Sequence, residues 1–419
     1  ALADTQIAEL TTTQLAAISA TAIAVLSTTQ LSEITQTSIG SLTTTQFKAL
    51  STTDIAALDI FQIFGLTSAQ VNALSTTQIG ALKSDQMIAF GTTQLAGLTA
   101  TQIGALTSTQ FAGIDPAQIA LLTATQVGGF KSTALANLTT TQLLGFDTTQ
   151  MGGLSTTVVA SLSTTNVAAL STTQVGALTS TQIKALTTSQ ASNLTTTQIA
   201  SLSTTQIGGF SSTQVGALTA TQVSYMSSTE IGALNATQVK GLSTSAIAAL
   251  DIIQVSGMTA TQFAAMSTTQ FGALTTTIIG TMDTTLISGL TTTAIGNLST
   301  AQIAVLSAGQ IASLTSTQMG GFKSTAVQAL AQTQVDALAS TQLGALATSA
   351  LSGFSTAEIA AFTTTQLAGF TSTQIKAFST SQVAALTVTQ VGALSATQLG
   401  GLSAAAITAM TITQIGGFT

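Results

Sequence analysis

The chain has no cysteine, no histidine and no tryptophan, and it contains a single proline among 419 residues. Without cysteine it can form no disulfide and offers no thiolate, and without histidine it lacks the other common ligand of zinc, copper and haem. Nucleophilic catalysis would also lack its usual histidine base. The composition therefore predicts that the protein is not an enzyme and has no catalytic, metal-binding or cofactor-binding residues.

Charged residues are scarce too, at 5% of the chain against roughly 25% in a typical globular domain. Arginine is absent, the seven basic residues are scattered lysines, and the net charge is −6. No basic cluster could neutralise phosphates, and no apolar run is long enough to cross a bilayer. We therefore expect no nucleic-acid partner and no membrane span. The hydrophobic fraction of 45% is nevertheless too high for a disordered chain.

What the sequence does contain is an eight-residue repeat, L-[S/T]-T-T-Q-I-G-A when numbered from its leucine; Leu98 to Ala105 is a typical octad. Position one occurs 53 times, always as Leu, Ile, Met or Phe, with no insertion or deletion. Position six is a large apolar residue in 51 of 52 octads, with Ala191 as the exception, and position five is Gln in 37. The register predicts that residues 1–419 form one continuous array of about 52 octads, which we expect to be a segment of a longer chain or fibre.

The spacing favours a short helix that is capped at position two. Ser or Thr at position two (the N-cap) and Gln at position five (N3) form a capping box, and the apolar positions one and six (N′ and N4) form a hydrophobic staple. The single proline, Pro116, falls at N1, where proline is favoured. Other good N-caps replace Ser or Thr in several octads, at Asp59, Asp115, Asp147, Asn235, Asp251 and Asp283.

These patterns predict an all-α solenoid of very short capped helices, one per octad. A helix over positions three to eight is well below the ~12–15 residues needed for stability alone, so the octads must stack. Small residues at positions seven and eight would let successive turns approach closely. Some octads depart from the pattern and should lack part of the cap: lysine stands at position two at Lys83, Lys131 and Lys323, and apolar residues replace Gln at Val158, Ile278 and Leu286.

A β-solenoid is the alternative fold. Thr-rich segments have strand propensity, and a turn at Gly-Ala could fold each octad over. The cap-compatible substitutions and the place of Pro116 favour helices.

The residues with chemical potential have structural interpretations. The 13 carboxylates are spread along the chain, mostly at cap or first-turn positions. A solvated face is predicted for four lysines at position seven, Lys48, Lys184, Lys240 and Lys376. Core packing is predicted for four phenylalanines at consecutive position ones, Phe354, Phe362, Phe370 and Phe378.

The octad resembles the L-[ST]-x-x-Q-[IV]-x-[AG] arrays of large secreted or cell-surface proteins of bacteria, many of them adhesin-like. The resemblance implies an extracellular or cell-surface structural role, as a filament, a matrix component or an adhesin stalk. The partner would be the protein itself, through end-to-end or lateral homo-assembly. The alternative function is a Thr-rich binding surface for ice or for polysaccharide, including cell-surface polysaccharide.

Overall fold

The computed structural model describes residues 3–418, and in these residues nearly every octad is a helix of four to six residues. No strand occurs in this part of the chain. The predicted all-α solenoid is confirmed and the β-solenoid alternative is wrong, because positions three to eight run through a single helical turn in octad after octad.

By its contacts the chain divides into two compact units, Ala1–Phe210 and Ser211–Thr419. The octad register continues through both in the sequence, and the single continuous array stays a prediction. In residues 3–418 no helix is long and apolar enough to cross a membrane.

Within residues 3–210, the first unit contains 25 helices. In chain order they are Asp4–Ala8 (α1), Thr12–Ala17 (α2), Ala20–Ile23 (α3), Thr28–Ser32 (α4), Gln36–Ser41 (α5), Thr44–Lys48 (α6), Thr52–Ala57 (α7), Ile60–Phe64 (α8), Ser68–Ala73 (α9), Thr76–Ala81 (α10), Ser84–Ile88 (α11), Thr92–Gly97 (α12), Ala100–Ile103 (α13), Ser108–Ala112 (α14), Pro116–Ala120 (α15), Ala124–Val127 (α16), Thr140–Leu143 (α17), Thr148–Gly153 (α18), Thr156–Ser161 (α19), Thr164–Ala169 (α20), Thr172–Gly176 (α21), Ser180–Ala185 (α22), Thr188–Ser192 (α23), Thr196–Ala200 (α24) and Thr204–Gly209 (α25). Residues 132–137, between α16 and α17, form turns.

Within residues 211–418, the second unit contains 25 α-helices and one 3₁₀ helix, Thr348–Gly353. The α-helices are Ser212–Ala217 (α26), Ala220–Ser224 (α27), Ser228–Ala233 (α28), Ala236–Gly241 (α29), Thr244–Ala248 (α30), Ile252–Ser256 (α31), Ala260–Ala265 (α32), Thr268–Gly272 (α33), Thr276–Thr281 (α34), Thr284–Ser288 (α35), Thr292–Ile295 (α36), Thr300–Ala304 (α37), Ala308–Ser313 (α38), Ser316–Met319 (α39), Ser324–Gln328 (α40), Gln332–Asp336 (α41), Ser340–Gly344 (α42), Thr356–Ala361 (α43), Thr364–Leu367 (α44), Ser372–Ala377 (α45), Thr380–Ala384 (α46), Val388–Gly392 (α47), Ala396–Leu399 (α48), Ala404–Thr408 (α49) and Ile412–Ile415 (α50).

Each described helix begins at position three, as the octad pattern predicts, and ends at position six, seven or eight, so that many are shorter than predicted. The position-two residue is extended, as at Thr99 with φ −83° and ψ 158°, and its side chain accepts a hydrogen bond from the backbone of Gln102. The next position-one residue returns to extended backbone, as at Leu98 after α12 with φ −70° and ψ 131°. Pro116 is the first residue of α15, as predicted. The chain therefore changes direction once in every octad.

The helices stack with a period of three octads within each unit. For example, α9 packs against α12 in the first unit, and α26 packs against α29 in the second. Positions one and six point inward and form the core: in one octad Leu98 is 3% exposed and Ile103 is fully buried. One turn of each solenoid therefore takes roughly three octads.

Small residues at position eight allow this close stacking. A Cβ atom added to Gly209 would lie 2.6 Å from the carbonyl oxygen of Ser180, and one added to Gly289 would lie 2.6 Å from that of Ala260. At these two glycines an added side chain would force the two turns to shift. The predicted close approach therefore occurs at position-eight glycines, whereas an added Cβ at some position-seven glycines, such as Gly208, would meet no atom within 4 Å.

Four phenylalanines in the second unit also behave as predicted. Phe354, Phe362, Phe370 and Phe378 are buried at consecutive position ones. The ring centroids of successive members lie 5.1, 5.6 and 5.3 Å apart. These rings form a continuous part of the core.

Candidate functional site

The glutamine at position five makes the polar contacts that organise the array. In the octad of Gln102, its side-chain oxygen accepts a hydrogen bond from the backbone N–H of Thr99 at 2.8 Å. The Thr99 hydroxyl in turn accepts from the backbone N–H of Gln102 at 3.2 Å. This is the capping box predicted from the sequence, and it satisfies two donors that a helix start would otherwise leave unpaired.

The amide nitrogen of the same glutamine reaches into the preceding turn of the solenoid. Gln102 Nε2 donates to the carbonyl oxygen of Leu74 at 2.8 Å and to that of Val71 at 2.8 Å, 28 and 31 residues earlier. Leu74 is a position-one residue, whose carbonyl lies between two helices and has no partner inside either. The glutamine side chain therefore caps its own helix and also donates to a backbone carbonyl, after an earlier helix, that would otherwise have no partner.

This contact recurs along both units, and we call the series the glutamine ladder. In the first unit its cross-turn donors are Gln46, Gln62, Gln70, Gln78, Gln86, Gln94, Gln102, Gln110, Gln118, Gln126, Gln142, Gln150, Gln174, Gln182, Gln190, Gln198 and Gln206. In the second unit they are Gln254, Gln262, Gln270, Gln302, Gln310, Gln318, Gln334, Gln342, Gln366, Gln374, Gln382, Gln390, Gln398 and Gln414.

The ladder glutamines are buried, and their hydrogen bonds make that burial tolerable. Gln102 is 3% exposed, although a buried amide without partners would be costly. Within residues 3–418 no buried side-chain nitrogen or oxygen lacks a hydrogen-bond partner. The ladder thus lets a polar residue occupy the edge of an apolar core in most octads.

The ladder was missed by the sequence interpretation, but a signal for it exists. Either Gln or Glu completes a capping box. Position five nevertheless holds Gln in 37 octads and Glu in two, Glu230 and Glu358. Only an amide also supplies a donor, so this bias indicates a second partner that must accept a hydrogen bond.

Octads that lack both the acceptor at position two and the glutamine at position five show how the capping box affects the helix. Three described octads combine a position-two residue that cannot accept a hydrogen bond with alanine at position five. The octad of Lys131 and Ala134 forms turns and no helix, and that of Ala347 forms the 3₁₀ helix. The octad of Lys323 remains α-helical without a side-chain cap. Octads that keep the glutamine alone, such as that of Ala331, remain α-helical.

The ladder has one wide gap, in the second unit. Ile278, Leu286 and Ala294 occupy position five in three successive octads and bring no donor. The carbonyls that the register assigns to them are those of Leu250, Met258 and Met266, and no hydrogen bond from the described residues reaches these three oxygens. A cavity of about 80 Å³ lies beside the gap, between Ile252, Met282 and their neighbours. No ladder hydrogen bond therefore joins residues 278–294 to the turn before them, whereas Gln310 and Gln318 still join them to the turn after.

The charged residues lie where the sequence predicts. The carboxylates of Asp59, Asp115, Asp147, Asp251 and Asp283 each accept the backbone N–H of position five. The four position-seven lysines are exposed. No group of three or more acidic residues close enough to hold a metal ion occurs among residues 3–418.

The most organised polar feature of the described structure is the glutamine ladder, whose side-chain amides donate to backbone carbonyls of an earlier turn. The hydrogen bonds of the glutamine ladder hold successive turns of the solenoid together.

Comparison with known families agrees with the repeat register. The ALTTAQ repeat matches at residues 49–84, 61–92, 143–180, 159–188, 192–228, 279–316 and 367–396. Together the matched segments cover just under half of the chain and lie in both units. No curated protein matches the chain. The repeated matches confirm that this is a repeat protein with a period of about eight residues.

Proposed function

We propose that this chain is an extracellular structural repeat protein, a component of a filament, a matrix or an adhesin stalk, and that it is not an enzyme. The observation that carries the proposal is the glutamine ladder, since its hydrogen bonds serve only to join one turn to the next. The octads hold this pattern without a divergent loop that could carry a site. The extracellular location is supported by the composition, with few basic residues and abundant Ser and Thr, and by the resemblance to arrays of secreted proteins.

The ladder also supports growth by addition. Every cross-turn glutamine donates to earlier octads, so a further turn, whether in the same chain or in a second copy, could add with the same hydrogen bonds. End-to-end association of this kind is heterologous and does not close, which leads to fibres rather than to closed oligomers. The protein itself is therefore its proposed partner.

Electron microscopy of the purified protein tests this proposal. We expect rods or fibres of one uniform width, with a regular repeat along their length. Antibody labelling of intact host cells should find the protein at the surface or in the medium. Compact particles without a repeat would overturn the structural part of the proposal. Labelling only after the cells are opened would overturn the extracellular part.

A second candidate is a polysaccharide-binding surface. It is favoured by the exposure of threonine at positions three and four, as at Thr76 and Thr77. Ice binding is not favoured, because the regular Thr rows of ice-binding β-solenoids need a β-solenoid and residues 3–418 contain no strand. Co-sedimentation with insoluble polysaccharides tests this candidate, and recovery of the protein only in the supernatant would count against it.

A further inference from the structure

Position four of the octad is small or polar in all but two cases. It is Thr in most octads, and the two large apolar exceptions are Phe61 and Ile253. Each follows the same two residues and precedes a ladder glutamine, as Asp-Ile-Phe-Gln from Asp59 and as Asp-Ile-Ile-Gln from Asp251. One lies in each unit. The large apolar residue at position four is rare and occurs both times in nearly the same local sequence. The octad pattern alone does not account for it.

In the first unit this departure produces an exposed apolar surface. Ile60, Phe61 and Phe64 of α8 are 48%, 67% and 59% exposed. They line an open groove of about 390 Å³ together with Gln36 and Ala89. Ile88, 64% exposed, occupies position seven of α11, which packs against α8. We call Ile60, Phe61, Phe64 and Ile88 the apolar patch.

The fold does not need these side chains. In the same octad Leu58 and Ile63 supply the core, and Asp59 and Gln62 supply the cap and the ladder. Other octads place Thr, Ala or Gly at positions three, four and seven and form the same helix. Contiguous exposed apolar surfaces of a few hundred Å² on soluble proteins usually mark interaction sites.

We propose that the apolar patch binds the same patch of a second copy of this chain, related by a twofold axis. The proposal deepens the self-assembly in the proposed function and rests on it. A large apolar side chain offers about 150–250 Å² when it is fully exposed, so four half-exposed ones offer about 400–500 Å². Two facing patches would bury about 800–1,000 Å² in total, and the upper end of this range reaches the lower limit for a specific interface. In the second unit, the pair Ile252 and Ile253 alone is too small to bury an area of this size.

The charges beside the patch fit a second copy better than a membrane surface. Lys83 and Asp85 are both exposed in the octad of Ile88. Around a twofold axis the lysine of one copy can approach the aspartate of the other. An anionic lipid surface would instead favour several basic residues at the rim, and this octad supplies one cation and one anion.

Sedimentation velocity over a range of protein concentrations tests the proposal. The wild-type chain should show a dimer that grows with concentration. The double variant Phe61→Thr/Phe64→Ala, which restores residues usual at these positions, should weaken dimerisation at least tenfold without lowering the melting temperature. Ile253→Thr is the matched control in the second unit and should dimerise as the wild type does.

Cysteine cross-linking provides a second measurement, because the chain has no cysteine of its own. Ala89→Cys, in the groove, should give a disulfide-linked dimer under mild oxidation, and Ile253→Cys should not. A double variant that dimerises as well as wild type, or equal cross-linking at both sites, would overturn the patch assignment and leave self-assembly intact. A wild type that stays monomeric yet forms single rods in micrographs would also overturn it, while the structural role would stand.

Discussion

Gln102 donates a hydrogen bond of 2.8 Å from its side-chain amide to the carbonyl oxygen of Leu74, 28 residues earlier in the chain. The same side chain accepts from Thr99 at the start of its own helix. The same residue therefore caps its own helix and makes the contact between turns. A substitution can remove the contact between turns and keep the cap.

Gln102→Glu keeps the cap acceptor and removes the donor. The carbonyl of Leu74 would lose its partner, that of Val71 would keep only the backbone N–H of Leu74, and both would face a buried carboxylate. At roughly 1–3 kcal/mol for a buried group left unpaired, we expect a loss of about 1–3 kcal/mol in the free energy of unfolding. Denaturant unfolding measures it. Gln14→Glu is the control, because Gln14 makes the cap contacts but is exposed; equal losses in both variants would refute the cross-turn role.

The 3₁₀ octad should become α-helical when its cap is restored. Ala347→Ser/Ala350→Gln supplies the hydroxyl acceptor and the amide, and the register directs the new amide to the carbonyls of Phe322 and Met319. We expect a gain of about 1–3 kcal/mol and slower amide hydrogen exchange in residues 348–353. Ala347→Ser alone should give the smaller part of the gain. No change in exchange in the double variant would mean that the capping box does not decide the helix type.

Adjacent glycines should respond differently to alanine. Gly209→Ala places a methyl group 2.6 Å from the Ser180 carbonyl, whereas one at Gly208 meets no atom within 4 Å. We expect Gly209→Ala to lower the melting temperature. Gly208→Ala should be neutral or stabilising by about 0.5–1 kcal/mol, because alanine is the better helix former. Thermal unfolding of the two variants settles the comparison, and equal behaviour would contradict the close packing at position eight.

The phenylalanine series should be sensitive to size more than to aromatic character. Phe362 lies between Phe354 and Phe370, with centroids at 5.1 and 5.6 Å. Phe362→Ala should cost about 3–5 kcal/mol through the cavity that it leaves. Phe362→Leu, the residue usual at position one, should cost less than about 1.5 kcal/mol. Urea unfolding measures both, and similar costs would show that ring contacts dominate.

The turn without ladder donors should open more readily than its neighbours. The carbonyls of Leu250, Met258 and Met266 have no cross-turn hydrogen bond, whereas those of Leu306 and Leu314 have theirs. Native-state hydrogen exchange should therefore be faster in residues 250–266 than in residues 306–314, since local opening follows local stability. Leu286→Gln, which supplies one donor, should slow exchange around Met258. Uniform exchange across both stretches would refute a weak turn.

The sequence predicted the features that depend on neighbouring residues. The cap of Thr99, the place of Pro116 and the burial of Phe362 each follow from spacing within one or two octads. The contact from Gln102 to Leu74 could not be predicted, because local spacing does not determine how many octads make one turn. The number follows from how closely the turns pack, as at Gly209 and Ser180. The apolar patch was visible in the sequence as a large residue at Phe61, but only the structure packs α11, which carries Ile88, against α8.

The glutamine ladder also bears on how such a gene can change. Removal or duplication of whole octads by recombination leaves each remaining amide opposite an equivalent carbonyl, because every partner is chosen by its place in the octad and not by its identity. The loss of a single codon instead misaligns every pair that spans the deletion, which is about three to four octads of contacts. Length is therefore the property that such a gene can vary most freely, in increments of 24 nucleotides, while point substitutions accumulate on the exposed positions.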